Sequence, residues 1–205
     1  MMDEKLMRDY ERFLGPYLDM AGEYLESAFP GRDVMLGRAL REIGYFDAPA
    51  SKGHHLAERG GLLEHSVNVT QRLADLSVAW GVAWPRVESP YIVGMFHDLV
   101  KCRCYRAVPE TEPGEAQKFE YVQPAYHGHG ACSVAIAAEL GIHLMREEIA
   151  AIMFHMGPWG VGKEYTEKEF YAAMKAFASP IVATHAADWY AASVDEKEVQ
   201  HADAH

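Results

Sequence analysis

Tyr91-Ile92-Val93-Gly94-Met95-Phe96-His97-Asp98-Leu99-Val100-Lys101 is the stretch on which the fold turns. Its apolar run reads as a buried helix, opened by Ser89 and Pro90 at the N-cap and first-turn positions, where the missing proline N–H costs nothing. The run ends in three groups that a core does not accommodate cheaply. His97 and Asp98 are adjacent and Lys101 follows three and four residues later, so all three project from one side of the last turns. Burying an imidazole, a carboxylate and an ammonium together is costly unless something pairs them. A metal ion on the first two, with an anionic ligand held by the third, removes that cost. A helix-end salt bridge between Asp98 and Lys101, beside a satisfied core histidine, is the plainer alternative. The stretch alone leaves both open.

Working outward, 205 residues of which about half are apolar are enough to bury one substantial core, so a single domain over residues 1–205 is expected. Acidic residues outnumber Lys and Arg by 30 to 19, and the net charge of -11 repels extended nucleic-acid backbone. Duplex DNA or RNA is therefore excluded as a partner, whereas a small phosphorylated molecule in a metal-lined pocket is compatible with this charge. Neither a signal-peptide layout nor a bilayer-spanning run is evident, so a cytoplasmic protein with no membrane partner is expected. Three cysteines, Cys102, Cys104 and Cys132, are odd in number and lack zinc-ribbon or redox spacing, which predicts free thiols. Eleven histidines exceed what chance supplies at this length, and several fall within apolar helical patterns.

Helical periodicity over residues 6–29, broken at Gly15-Pro16, and again over 32–43 up to Gly44, predicts a helical scaffold over 1–44. The loop over 45–61 lacks periodicity but carries Lys52, His54 and His55; it reads either as a binding loop or as a solvated connector, the latter for His54. From Gly61 one helix face collects Leu62, His65, Val69, Leu73, Leu76 and Trp80. Residues 105–108 and 118–122 flank a Pro/Gly-rich turn and read as two short strands. Helices follow over 129–140 and 146–156, the latter ending beside His155 and the glycine-rich loop 157–162, which suits a lid or pocket rim. Thr166-x-x-Glu169 is a capping box for a helix to Ala178, and Ser179-Pro180 opens another that carries His185 and Asp188. Residues 193–205 read as a frayed acidic tail, with His201 and His205 inert. The expected class is all-α: a helical bundle with a small β-hairpin insertion.

The unusual polar residues in order are His65, His97-Asp98, His129, His155 and Asp188, each on or at the end of a separate helical element. Helices packed about one axis can direct such side chains at a common centre. Four imidazoles and two carboxylates without a thiolate suit two divalent ions of the Mn, Fe, Co, Ni or Zn kind.

This pattern resembles the HD-domain metal-dependent phosphohydrolases, whose order is H...HD...H...H...D. The resemblance runs through Gly60-Gly61-Leu62-Leu63-Glu64-His65-Ser66, Phe96-His97-Asp98-Leu99-Val100-Lys101, Gly128-His129-Gly130-Ala131-Cys132-Ser133, Phe154-His155-Met156-Gly157 and His185-Ala186-Ala187-Asp188, and spans a metal-binding core of about 45–192. The lead-in Pro49-Ala50-Ser51-Lys52-Gly53-His54-His55 is similar to that of the HD domain in bacterial 3′ to 5′ exoribonucleases. The GHGxxS and FHMG segments are closer to short phage-associated HD hydrolases. Val100 stands where many members carry glycine, and no GYP motif of the cyclic-di-GMP phosphodiesterases follows.

The resemblance implies one metal on His65, His97, Asp98 and Asp188 and another on Asp98, His129 and His155, with Asp98 bridging. It implies Lys101 as a contact to substrate phosphate, and His129 rather than His127 as ligand. His55, Lys52, His185 and Lys163 are further candidates for substrate contact; His185 reads equally as a buried hydrogen-bonded histidine or as an orienter of Asp188. The implied activity is hydrolysis of a phosphate mono- or diester of a nucleotide or other small molecule, or of a short single-stranded RNA end, by water activated between the two ions. Two alternatives share the ligands: an HD-type di-iron oxygenase and a non-catalytic metal-binding regulatory module. Under the hydrolase reading the loop 157–162 and the hairpin 105–122 rim the site.

Overall fold

The computed structural model describes residues 32–53, 56–109, 117–124 and 128–196, and Arg8. The helices expected over 6–29, the turn 110–116, His54, His55, His127, His201 and His205 lie outside the described residues.

Helix α1, Arg32–Glu42, buries Leu36 and Leu40 and stops where the sequence predicts. Gly44 takes φ +82, the left-handed conformation a C′ residue needs. There the Gly44 N–H donates to Arg41 O and the Tyr45 N–H to Leu40 O, each at 3.0 Å, which satisfies carbonyls the helix leaves over. The loop that follows is not a solvated connector over most of its length. Tyr45, Phe46, Ala50 and Leu56 are buried, and the Tyr45 hydroxyl donates to Met95 O at 2.6 Å. The loop thus joins the core through its apolar residues, while Lys52 and Gly53 stay exposed.

Helix α2, Gly61–Trp80, buries Leu62, His65, Val69 and Leu73 at helical spacing. Trp80 departs from that face and is 53% exposed. Helix α3, Ser89–Phe96, begins with Pro90 in its first turn and packs against α2. Gly94 permits the approach: a Cβ there would lie 2.4 Å from Thr70 Oγ1 and 2.6 Å from Thr70 Cα.

The central helix is shorter than the apolar run suggests. After Phe96 the chain tightens: Leu99 N donates to Phe96 O, Lys101 N to Asp98 O and Cys102 N to Leu99 O, bonds of the i→i+3 kind. The short helix α4, Lys101–Cys104, follows this turn. Strands β1, Tyr105–Ala107, and β2, Phe119–Tyr121, form the expected antiparallel hairpin with Tyr105 opposite Tyr121.

Helix α5, His129–Glu139, and helix α6, Arg146–Phe154, pack closely. A Cβ on Gly130 would meet Ile152 O at 2.4 Å and Met153 O at 2.5 Å, so only glycine fits that crossing. A 3₁₀ turn, Gly157–Gly160, leads toward helix α7, Glu167–Tyr190, which opens with the expected Thr166/Glu169 capping box. Its two predicted segments run on as one element with a kink at Phe177 (φ −139, ψ 34). Pro180 lacks an N–H and crowds the preceding turn, so the break falls three residues before it.

The last turn, Ala191–Asp195, widens to π geometry and brings Glu196 into the interior at 1% exposure. The start of the acidic tail is therefore packed rather than frayed. A buried Glu148 on α6 receives Arg86 Nε at 2.7 Å and Ser89 Oγ at 2.8 Å, which ties the start of α3 to α6. Among the described residues the apolar core falls into two clusters. Phe96 and Leu99 belong to one, Val93 and Ile152 to the other, so the turn holding His97 and Asp98 is flanked by both. Among the described residues the architecture is helical with one small hairpin, and no helix there is long and apolar enough to cross a membrane.

Candidate metal centre

Five separate helical elements deliver the polar residues singled out in the sequence. His65 lies in the second turn of α2, His97 and Asp98 in the turn after α3, and His129 at the first position of α5. His155 follows α6 directly, and Asp188 sits in the last turn of α7. His65, His97, Asp98 and His155 are buried at 3% exposure or less. Ligand atoms of His65, His97 and Asp98, of Asp98, His129 and His155, and of His97, His155 and Asp188 lie within 4.8 Å of one another in each group.

Asp98 divides the cluster. Its Oδ1 faces His129 Nε2 at 2.5 Å and His155 Nε2 at 3.5 Å. Its Oδ2 faces His97 Nε2 at 3.4 Å and His65 Nε2 at 3.6 Å. Asp188 Oδ1 stands on the Oδ2 side, 3.2 Å from His65 Nε2 and 3.8 Å from His97 Nε2. One carboxylate thus presents each of its oxygens to a different pair of imidazoles.

The remote nitrogens explain the orientation. Nδ1 of His97 donates to Gly94 O at 2.9 Å and Nδ1 of His155 to Ile152 O at 2.7 Å, both carbonyls one turn back. A carbonyl only accepts, so Nδ1 carries the hydrogen in each ring and Nε2 is left to face the centre. His65 Nδ1 is held by Glu196 Oε1 at 2.8 Å. Four rings therefore point the same nitrogen inward, counting His129.

Titration follows from these contacts. Burial pushes the His97 imidazole down to about 4, although the Asp98 charge opposes it, so the ring is neutral near pH 7. Burial would also lower His65, but its bonds to Asp188 and Glu196 outweigh that and raise it to about 9. Burial acts to raise the Asp98 carboxyl, yet the Lys101 charge and the neighbouring His97 and His129 hold it well below the usual range. Asp188 is held low in the same way, burial being overcome by His65 and His97.

These residues fit a metal ion. The Nε2 of neutral His97 is buried, makes no hydrogen bond among the described residues, and turns a lone pair toward carboxylate oxygens 3.4 and 3.8 Å away. Lone pair facing anion is repulsive, and a cation between them reverses the sign. Imidazole and carboxylate donors suit first-row divalent metals. Thiolates take no part: no cysteine belongs to the cluster and none of the three is in a disulfide, while burial pushes the Cys102 thiol up to about 12 and Cys104 to about 11.

The other candidates separate. Lys101 Nζ is 2.5 Å from Asp98 Oδ2, so the helix-end ion pair exists, but its ammonium also lines two cavities of about 250 Å³ each. Asp98, Lys101 and His129 share one of them with His185, Trp159 and Trp189. Lys101 and His129 line the other with Tyr105, Tyr121 and Lys163. The loop after α6 and the hairpin thus both rim the cluster. His185 donates from Nδ1 to His155 O at 2.7 Å, and its ring lies so near Gly157 (φ +56) that a Cβ there would come within 2.8 Å. Lys52 is exposed in its loop and lines neither cavity.

Three participants escaped the sequence reading. Glu196 lies in what reads as tail. Glu164 accepts from the His129 N–H at 3.1 Å, capping the start of α5, and no spacing rule links residues 35 apart. Trp189 is 55% exposed at the cavity mouth, and its position next to Asp188 was the available signal. Compared with known proteins, the chain matches no family model, no curated protein and no solved structure.

Proposed function

We propose that the chain is a metal-dependent phosphohydrolase of the HD type, splitting a phosphate mono- or diester of a nucleotide or similar small molecule. The observation that carries this reading is the division of imidazoles about Asp98: His129 and His155 at one oxygen, His65 and His97 at the other. That arrangement suits one carboxylate bridging two cations. When bound, two such ions supply an activated water and neutralise phosphoryl oxygens.

The chain's own groups do the rest. Lys101 opens onto both cavities. Burial would lower its pKa, but the Asp98 charge holds it up, so it remains a point charge within reach of a non-bridging oxygen. Lys163 offers a second cation on the hairpin side. On the other side Met156, Trp159 and Trp189 give an apolar mouth, with the two indoles 63% and 55% exposed. Exposed indoles in the same cavity as Asp98, Lys101 and His129 suit a substrate with a planar ring beside its phosphate, since base–aromatic stacking contributes about 1–3 kcal/mol.

The test is hydrolysis of a panel of nucleotides and phosphodiesters by chelator-stripped protein with and without Mn²⁺. Phosphate or nucleoside release only with the metal is expected. Full activity in stripped protein, or iron-dependent oxygen uptake with no phosphate release, overturns the reading.

A further inference from the structure

We propose that Glu196 is a positioning residue of the metal centre, holding the remote nitrogen of His65 so that Nε2 faces Asp98 and Asp188. The inference rests on the reading that a metal occupies the His65 side of the cluster.

The placement of Glu196 is built, not incidental. Where α7 ends, the backbone widens by one residue, and the Glu196 N–H donates to Ala191 O five residues back. Wide turns of this kind re-aim the side chains that follow them. One face of α2 receives the segment: His65, Asn68 and Arg72 stand at i, i+3 and i+7, stacked on one side of the helix. Arg72 grips Asp195 with both prongs, Nε to Oδ2 at 2.9 Å and Nη2 to Oδ1 at 2.6 Å, and its guanidinium lies 4.6 Å over the Tyr190 ring. With residue 195 pinned, Glu196 reaches inward. Its Oε1 meets His65 Nδ1 at 2.8 Å and accepts from Asn68 Nδ2 at 3.4 Å.

The chemistry distinguishes this contact from its neighbours. His97, His155 and His185 each spend Nδ1 on a backbone carbonyl. His65 alone of the four has a side-chain carboxyl there. An acidic group at 1% exposure is a costly way to fill space. Opposite a metal-holding imidazole it fixes the ring and strengthens the inward nitrogen as a donor, and loss of such a partner weakens metal affinity about 10–100-fold.

The experiment titrates Zn²⁺ calorimetrically into chelator-stripped protein in a His129→Ala background, which isolates the His65 side. Glu196→Ala should weaken that ion about 10–100-fold. Glu196→Gln keeps the size and an acceptor oxygen, so it should fold and recover part of the loss. In a companion His65→Ala background, Glu196→Gln should leave the remaining ion unchanged. NMR of the Zn²⁺-loaded protein should show the His65 Nδ1–H resonance shift on Glu196→Gln, with the His97 and His155 resonances unmoved. Unaltered affinity in Glu196→Ala, equal weakening of both ions, or no recovery with Gln overturns the proposal. These readouts are binding and spectroscopic, so a failure of phosphate hydrolysis would overturn the proposed activity and leave this inference standing.

Discussion

At the scale of single residues, the centre is defined by where each imidazole puts its hydrogen. His97 and His155 direct Nδ1–H to carbonyls of their own preceding turns, a consequence of sitting just past a helix end. Their spacing behind the helix was legible, because ionisable residues ending apolar runs stand out. Glu196 was not legible: it is 131 residues from His65, in a segment with no apolar period. A pH prediction follows from His65. Raised to about 9, it carries a proton on the nitrogen that would hold metal, whereas His97, lowered to about 4, does not. Metal must displace that proton, so affinity should rise with pH from 7 up to about 9 and then level off. Calorimetry in two buffers of different ionisation enthalpy should detect about one proton released per His65-side ion near pH 7. A flat affinity over that range contradicts the assignment. At the cavity mouth, Trp159→Ala and Trp189→Ala should each raise KM for a nucleotide about tenfold with kcat little changed, and leave a ring-free ester such as glycerol phosphate unaffected. Equal losses on both substrates would remove the indoles from substrate binding.

At the scale of elements, glycines set how near the ligand-bearing helices come. Gly130 lets α5 meet the backbone of α6, and His129 and His155 stand on those two helices with ring centroids 5.5 Å apart. Gly130→Ala should cost about 1–3 kcal/mol in denaturant unfolding, because the added carbon meets backbone that cannot turn aside. It should also lower metal content on the His129 side, read by metal analysis of the folded variant; a neutral substitution would mean that the crossing is looser than it stands here. Periodicity, caps and prolines made most element bounds legible. It failed where side-chain pattern and backbone bonding diverge: the apolar run continues to Lys101, but helical bonding tightens after Phe96. That tightening turns His97 and Asp98 toward the centre together.

At the scale of the whole molecule, the cluster couples the fold to protons and, if an ion binds, to metal. In stripped protein, His65 and His155 are raised, so the stability they give is present below 6.5 and is lost as pH rises, for His65 through about 9. His97 works oppositely: the unfolded chain takes up a proton below 6.5 that the folded state refuses until about 4, so stability falls over that interval. Thermal unfolding of stripped protein should therefore show a maximum near pH 6.5, and bound metal should flatten the alkaline side. A monotonic rise to pH 9 would contradict the electrostatics described here. The convergence of five elements was legible in the order of their histidines and aspartates, because each residue interrupts an apolar face. The grouping about Asp98 was implied by the resemblance, while the oxygen each ring faces is read only from the distances in three dimensions.

That partition is the central claim, and metal stoichiometry tests it most directly. Folded, monodisperse variants, with helical content checked by circular dichroism, are loaded with Mn²⁺ or Zn²⁺ and analysed for bound metal. The wild type should hold about two ions per chain, His129→Ala and His155→Ala about one, Asp188→Ala about one from the opposite side, and Asp98→Ala close to none. Asp98→Ala that retains as many ions as the wild type would contradict the bridging carboxylate, and with it the two-metal reading of the site.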